Sequence, residues 1–446
     1  MPPAYSGGMT DLALLETEAV AFIRDLIRID SVNTGVAETI GDGETRAARY
    51  VQERLEDAGY ATAFIETRPG RGNVVARLKG SDRDAGALVL HAHLDVVPVV
   101  EDDWTHPPFA AEIHDGFLYG RGAVDMKNFA GVLLAVARAL RREGVVPRRD
   151  LVFAFFADEE AGGVWGARWL VRNRPDLFAR ATEALSEVGG FSVPIGDDRR
   201  GYLVATSEKG VAWATLTARG RAGHGSRPTL DNAVVRLTDA VSAIGRHSFP
   251  VVRTPAVQRF FDIVGRERGL AFGDADLDAD LEQLGFVSSL IGASLRNTAT
   301  PTVLEAGGKT NIIPAEATAR LDLRVLPGQD EALREELERI AGDDVEIAWG
   351  RWWSATEAPI DVPLLDDLQH AVDIEDPGGI VVPYLLPAST DNKHLASLGI
   401  RGYGFVPLRV PDGFDVFGEF HAADERVPVD ALRFSARATW RILRAQ

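Results

Sequence analysis

Apolar residues take two textures along this chain. In residues 11–29 and 44–58 they recur at three- and four-residue intervals, the spacing of one helix face. Between 60 and 95 they come in short unbroken runs, Asn73-Val-Val-Ala-Arg-Leu78 and Ala87-Leu-Val-Leu-His-Ala-His93. A helical stretch from Lys127 to Arg142 follows, then the apolar run Leu151-Val-Phe-Ala-Phe-Phe-Ala157, a helix at about 163–173 and the short run Glu183-Ala-Leu-Ser186. Continuous apolar strands alternating with helices predict a mostly parallel sheet covered on both faces.

From about residue 208 the pattern changes. Val211-Ala-Trp-Ala-Thr-Leu-Thr-Ala218 and Ala317-Thr-Ala-Arg-Leu-Asp-Leu-Arg-Val325 alternate, as half-buried strands do. Residues 231–245 and 329–341 read as helices, 344–349 as a strand, and 265–282 is acidic and Gly-rich. This texture predicts a small α+β unit, an antiparallel sheet plus helices with one sheet face packed and one solvated. After Trp353 the apolar runs resume, as in Gly379-Ile-Val-Val-Pro383. The expected organisation is one α/β domain in two segments, 1–207 and 353–446, interrupted by an inserted domain at 208–352.

Composition narrows the function. At 46% hydrophobic and 26% charged the chain is ordinary for a globular protein, and its formal net charge of −18 argues against nucleic acid and against an anionic membrane surface. No run approaches the roughly 18–20 apolar residues of a membrane span. The opening Pro2-Pro-Ala-Tyr-Ser-Gly-Gly8 has no basic or apolar leader region, so a cytoplasmic location is expected. Cysteine is absent, which excludes thiolate catalysis and sulfur-ligated metals. Any metal must be held by His, Asp and Glu.

Four places offer such donors where strands should end. In His91-Ala-His93-Leu-Asp95 an extended chain puts His93 and Asp95 on one side, so the carboxylate can orient the imidazole. Asp125 follows two glycines and precedes a long apolar helix, where, taken alone, a helix N-cap is the better reading. Asp158-Glu159-Glu160 follows a buried strand; three acids in a row also suit a solvated turn, but strand C-termini are where open α/β sheets bind ligands. Ser186-Glu187 closes another apolar run, and His421 adds a late candidate. Imidazole and carboxylate without sulfur suit Zn²⁺ or a similar ion.

The segments Leu90–Pro98, Trp104–Phe109, Asp115–Lys127 and Phe156–Gly163, in this order, resemble the two-zinc exopeptidase and amidohydrolase family that includes aminoacylase, glutamate carboxypeptidase, succinyl-diaminopimelate desuccinylase and carnosinase-type dipeptidases. The resemblance implies two Zn²⁺ per chain, with Co²⁺ or Mn²⁺ able to take the same donors. It implies His93 and Glu187 on one metal, Glu160 and His421 on the other, and Asp125 bridging them. Asp95 would orient His93, and Glu159 would be the general base. The inserted domain would be the family's lid, with His224 in Ala222-Gly-His-Gly-Ser-Arg227 stabilising the oxyanion and a homodimer formed through it. Asn311 and Arg324 resemble the lid's binders of the substrate carboxylate, a group Arg recognises in bidentate fashion. Asp391 and His394 resemble a further pocket segment.

Three departures stand out: His91 where the family often has Gly or Leu, Glu187-Val-Gly-Gly where Glu-Gly-Gly is more usual, and a longer lid around 250–300. Gly308-Lys-Thr310 is not a phosphate loop, because Val303 stands where that motif needs glycine. No G-x-S-x-G elbow or H-E-x-x-H helix occurs. The expected activity is metal-dependent hydrolysis of an amide next to a free carboxylate, in a small peptide or N-acyl amino acid. The competing expectation is a non-catalytic peptide or amino-acid binding protein on the same scaffold, which would have no use for Glu159 as a proton shuttle.

Overall fold

The computed structural model describes residues 11–446 except 197 and 228. The first ten residues, and with them the expected absence of a leader, lie outside the described chain. The chain enters the fold through the helix Leu12–Ile27, whose N-cap Asp11 accepts from the Leu14 N–H at 3.0 Å. Its buried residues Leu15, Ala19, Phe22, Ile23 and Leu26 keep the three- and four-residue spacing and pack against the helices Lys127–Arg142 and Val429–Ala445.

These helices cover a ten-stranded mixed sheet. At its centre Asp150–Phe156, Ala87–His93, Ala181–Ser186 and Arg401–Gly404 run parallel in that spatial order. The unbroken apolar runs Ala87–His93 and Leu151–Ala157 fall in these central strands, buried on both faces, while Asn73–Leu78 lies in a neighbouring antiparallel strand. Because they are parallel neighbours, their C-terminal ends lie side by side. Every sequence-predicted metal-site segment except those of Asp125 and His421 follows one of these ends.

A separate antiparallel sheet orders Thr298–Ala306, Glu316–Val325, Gly210–Arg219 and Val345–Trp353. Burial alternates along the inner two strands, and Leu216, Leu321 and Leu323 meet Leu237 and Ile244 of the helix Ala233–Arg246 and Leu333 and Leu337 of the helix Asp330–Ala341. The acidic stretch is more ordered than its composition suggests. It lies among the helices Pro255–Arg268, Leu277–Glu282 and Val287–Ala293, and their apolar residues, Phe260, Phe261 and Ile291 among them, join the core of the large sheet rather than that of the small one. The chain between residues 208 and 352 thus contributes to both cores. Among the described residues no helix is long and apolar enough to cross a membrane.

Candidate metal centre

His93, the last residue of its strand, is buried with its ring fixed from both sides. Nδ1–H donates to the main-chain carbonyl of Asp95 at 3.0 Å. That leaves Nε2 as the lone-pair nitrogen, facing Asp125 Oδ1 at 3.0 Å and Glu187 Oε2 at 3.3 Å. The Asp95 carboxylate stands further off, 3.5 Å from Nδ1. Its oxygens accept instead from the backbone N–H groups of Glu159 (3.1 Å) and Glu160 (3.0 Å) and from Asn33 Nδ2 (2.9 Å). The orienting contact therefore comes from the Asp95 main chain, while its side chain fixes the turn after the neighbouring strand.

Asp125 presents its two oxygens to different imidazoles. Oδ1 faces His93, and Oδ2 lies 3.1 Å from His421 Nε2, which is also 3.3 Å from Glu160 Oε2. The loop holding Asp125 is gripped by Glu425, fully buried, whose oxygens accept from the N–H groups of Gly122 (3.0 Å), Val124 (2.6 Å) and Asp125 (3.0 Å) and from Arg121 Nη1 (2.7 Å). Asp158 stands in the left-handed region (φ 70°) and is tied to Arg71, Asn33 and the Trp165 N–H. Arg71 also pairs with buried Glu44, whose other oxygen accepts from the Asp158 N–H at 2.8 Å. None of these supports was identified from the sequence, and only the first acid of the Asp158-Glu159-Glu160 run hinted at one.

Close packing is legible in two glycines. A Cβ on Gly163 (φ 66°) would lie 2.5 Å from Asp391 Oδ1, and one on Gly190 (φ 78°) would lie 2.3 Å from the Val406 carbonyl carbon. The Val188 that departs from the usual Glu-Gly-Gly also adopts a left-handed conformation, φ 57°, strained for a β-branched residue.

Electrostatics set this cluster apart. Burial and then the Asp125 charge push the Glu160 carboxyl up to about 8, and burial raises Glu187 to about 8 against the pull of His93. Burial also raises Glu159, although Lys393 Nζ lies 3.6 Å from its Oε1. Hydrogen bonds to Asp125 and Glu160 raise His421 to about 10. Glu160 Oε1 and both Asp391 carboxylate oxygens are buried without a hydrogen-bond partner. Crowded carboxylates with unspent lone pairs and inward-facing imidazole nitrogens are the donor set of a divalent-cation site, and ligand atoms of His93, Asp125 and Glu160, and of His93, Glu159 and Glu187, lie within 4.8 Å of one another.

Other predicted residues are placed elsewhere. His91 bonds Asn392 Oδ1 through Nε2 (2.9 Å) and has Ser186 Oγ at 3.0 Å from Nδ1, so it is a satisfied core histidine, held by burial near pKa 4. His394 Nε2 donates to the Gly162 carbonyl at 3.1 Å, and burial lowers it to about 3. Asp391 is buried beside Glu159 and Lys393. His224 is exposed on the antiparallel ribbon Gly223–His224 and Ile312–Ile313, where the Gly225 N–H donates to the Asn311 carbonyl at 2.9 Å. No hydrogen bond or ion pair among the described residues joins His224 or Asn311 to the carboxylate cluster. Arg324 is paired with Asp322 at 2.7 Å.

The comparisons with known proteins show the family and the fold. Residues 89–445 match the family described as peptidase family M20/M25/M40. Aminoacylase-1 of Pongo abelii is 30% identical over 369 residues, covering 81% of each chain. The M20 family metallo-carboxypeptidase Sso-CP2 of Sulfolobus solfataricus has the same fold, with a TM-score of 0.69 at 19% identity over 96% of this chain and 99% of that one. A dinuclear metal binding peptidase of Bacillus subtilis has a TM-score of 0.64 at 14% identity, over 96% and 98%. By its matched length and its relatives, this chain belongs to the peptidase family M20/M25/M40.

Proposed function

We propose that this protein hydrolyses an amide bond next to a free carboxylate, in a small peptide or an N-acyl amino acid, using two divalent ions. Zinc fits the nitrogen and oxygen donors, and Co²⁺ or Mn²⁺ would take the same set. The observation that carries the reading is Asp125, whose two oxygens face His93 on one side and His421 on the other. His93 and Glu187 would hold one ion, His421 and Glu160 the second, with Asp125 spanning both. The chemistry such ions supply is polarisation of the scissile carbonyl and acidification of the attacking water.

The chain's own groups do the rest. Asp95 holds His93 through its carbonyl and seats the turn that carries Glu159. Glu159 takes a proton from the attacking water and delivers it to the leaving nitrogen; its burial keeps its proton affinity above that of an ordinary carboxylate. Asp391 and His394 back this turn, His394 through the Gly162 carbonyl. In the same reading His224 approaches from the small sheet to stabilise the oxyanion, and Asn311 and Arg324 bind the substrate carboxylate, once a lid closure or a partner subunit in a homodimer brings them to the cluster. The protein would act in the cytoplasm on a small molecule. Glu159→Gln tests the assignment: it should bind metal at the wild-type stoichiometry yet lose about 10²–10⁴ in kcat. Unchanged kcat would remove Glu159 as the base.

A further inference from the structure

A cavity of about 290 Å³ lies between the helix Ala167–Asn173 and the end of the strand Val345–Trp353, and Lys393 in its wall reaches to 3.6 Å from Glu159 Oε1. Arg168, Arg172 and Lys393 line it with Trp352 and Trp353. Arg351 stands close by, 3.9 Å from the Cβ position of Gly162, the residue that ends the turn Glu159–Ala161, and 4.7 Å above the Trp353 ring. In a protein of charge −18 this is a concentration of positive charge. Among the described residues no carboxylate lies within 4 Å of Arg168, Arg172 or Arg351, whereas Lys393 faces Glu159 and Arg324 is already paired with Asp322. Burial, followed by the charges of Arg172 and Arg351, holds the Arg168 guanidinium below its ordinary range. Three guanidinium groups brought together without an anion repel one another. An anion among them would turn that repulsion into charge-assisted hydrogen bonds.

We infer that this cavity binds a second carboxylate of the substrate, so that the protein selects dicarboxylic substrates over neutral ones of the same shape. The inference rests on the hydrolase reading and gives that site a substrate class. The carboxylate has two sources, an acidic amino-acid side chain or a dicarboxylic acyl group, and the indole walls accommodate the carbon chain of either. A cationic pocket also gives an anionic substrate a local attraction that the net charge of the protein denies it.

The test uses the full-length, metal-loaded protein and two isosteric pairs: N-acetylglutamate against N-acetylglutamine, and N-succinylmethionine against its succinamoyl amide. In at least one pair the acid should be preferred by about tenfold or more in kcat/KM, mainly through KM, and the pair showing it identifies the source. In R168Q/R172Q that ratio should fall to about one. Equal rates in both pairs, or a ratio that survives the double variant, overturns the inference. R351Q, a change in the strand Val345–Trp353, should reduce the ratio in the same sense if the double variant folds poorly. Should no compound be cleaved, the hydrolase reading fails on its own. Tryptophan fluorescence titrations of the acids then still decide: tighter binding to wild type than to R351Q or R168Q/R172Q supports the cavity, and identical binding overturns it.

Discussion

Asp95 and Glu425 touch the cluster through backbone groups, and both are wholly buried. Asp95 could be anticipated because it stands two residues after His93 in an extended segment, so a shared side of the strand was predictable. Glu425 could not, since its partners lie about 300 residues earlier and nothing local marks it. Its carboxylate takes four donors, three of them N–H groups of the loop that aims Asp125. Glu425→Gln leaves Arg121 buried without its counter-charge and places an amide against donors. It should cost about 3–5 kcal/mol of stability and weaken metal binding about 10–100-fold, measured by thermal unfolding and by titration with a chelator-buffered metal. Wild-type metal affinity in that variant would show that the loop holds its shape without Glu425. The two histidines of His91-Ala-His93 were separable only by what surrounds them. Ser186 and Asn392 satisfy His91, and both lie far from it in sequence.

Among the elements, the parallel strands were the most legible, because a strand buried on both faces must be apolar throughout. The four donor segments fall at strand ends or just before a helix, which narrows the site from the sequence alone. The helices between 255 and 293 carried a local signal as well: Thr254 accepts from the Val257 N–H, Pro255 takes the first helical position, and Val257, Phe260, Phe261 and Val264 keep helical spacing. What the sequence could not tell was which of two cores that apolar face would meet. The junction between the helix Pro363–Glu375 and the strand Arg200–Glu208 depends on Asp376, which accepts from Arg200 at 2.7 and 2.6 Å and from the Tyr202 hydroxyl at 2.7 Å. Burial raises this carboxyl, but Arg200 and Tyr202 outweigh it and hold the pKa below the usual carboxylate value. A lowered folded-state pKa means that its stabilisation is complete above the unfolded value of about 3.9 and is lost as pH falls through the folded one. Asp376→Asn should therefore destabilise the protein by about 2–3 kcal/mol at pH 7, and the gap to wild type should narrow below about pH 4 in urea unfolding. A gap independent of pH would assign the loss to packing instead.

At the scale of the molecule, the strand ends of the large sheet carry His93, Glu159, Glu160 and Glu187, turns outside it carry Asp125 and His421, and the small sheet carries His224, Asn311 and Arg324 on or beside it. The two do not divide cleanly at the texture change near residue 208, since residues 255–293 return to the large core. Phe260→Ala should therefore destabilise the core of the large sheet by about 3–5 kcal/mol and lower its thermal unfolding midpoint. A variant that unfolds like wild type would place that helix outside the core. The texture change was readable because a solvated antiparallel sheet alternates and a buried parallel one does not. The relative placement of the sheets was not, because it depends on side chains that meet across the whole chain.

The most direct test of the central claim is hydrolysis of a mixed panel of dipeptides and N-acyl amino acids by metal-stripped protein and by protein reloaded with zinc or cobalt, with bound metal counted in each sample. Cleavage that is lost on stripping and returns at two ions per chain is the predicted result, and the substrates cut will separate peptidase from acylase. No cleavage of any compound with two ions bound per chain would contradict it.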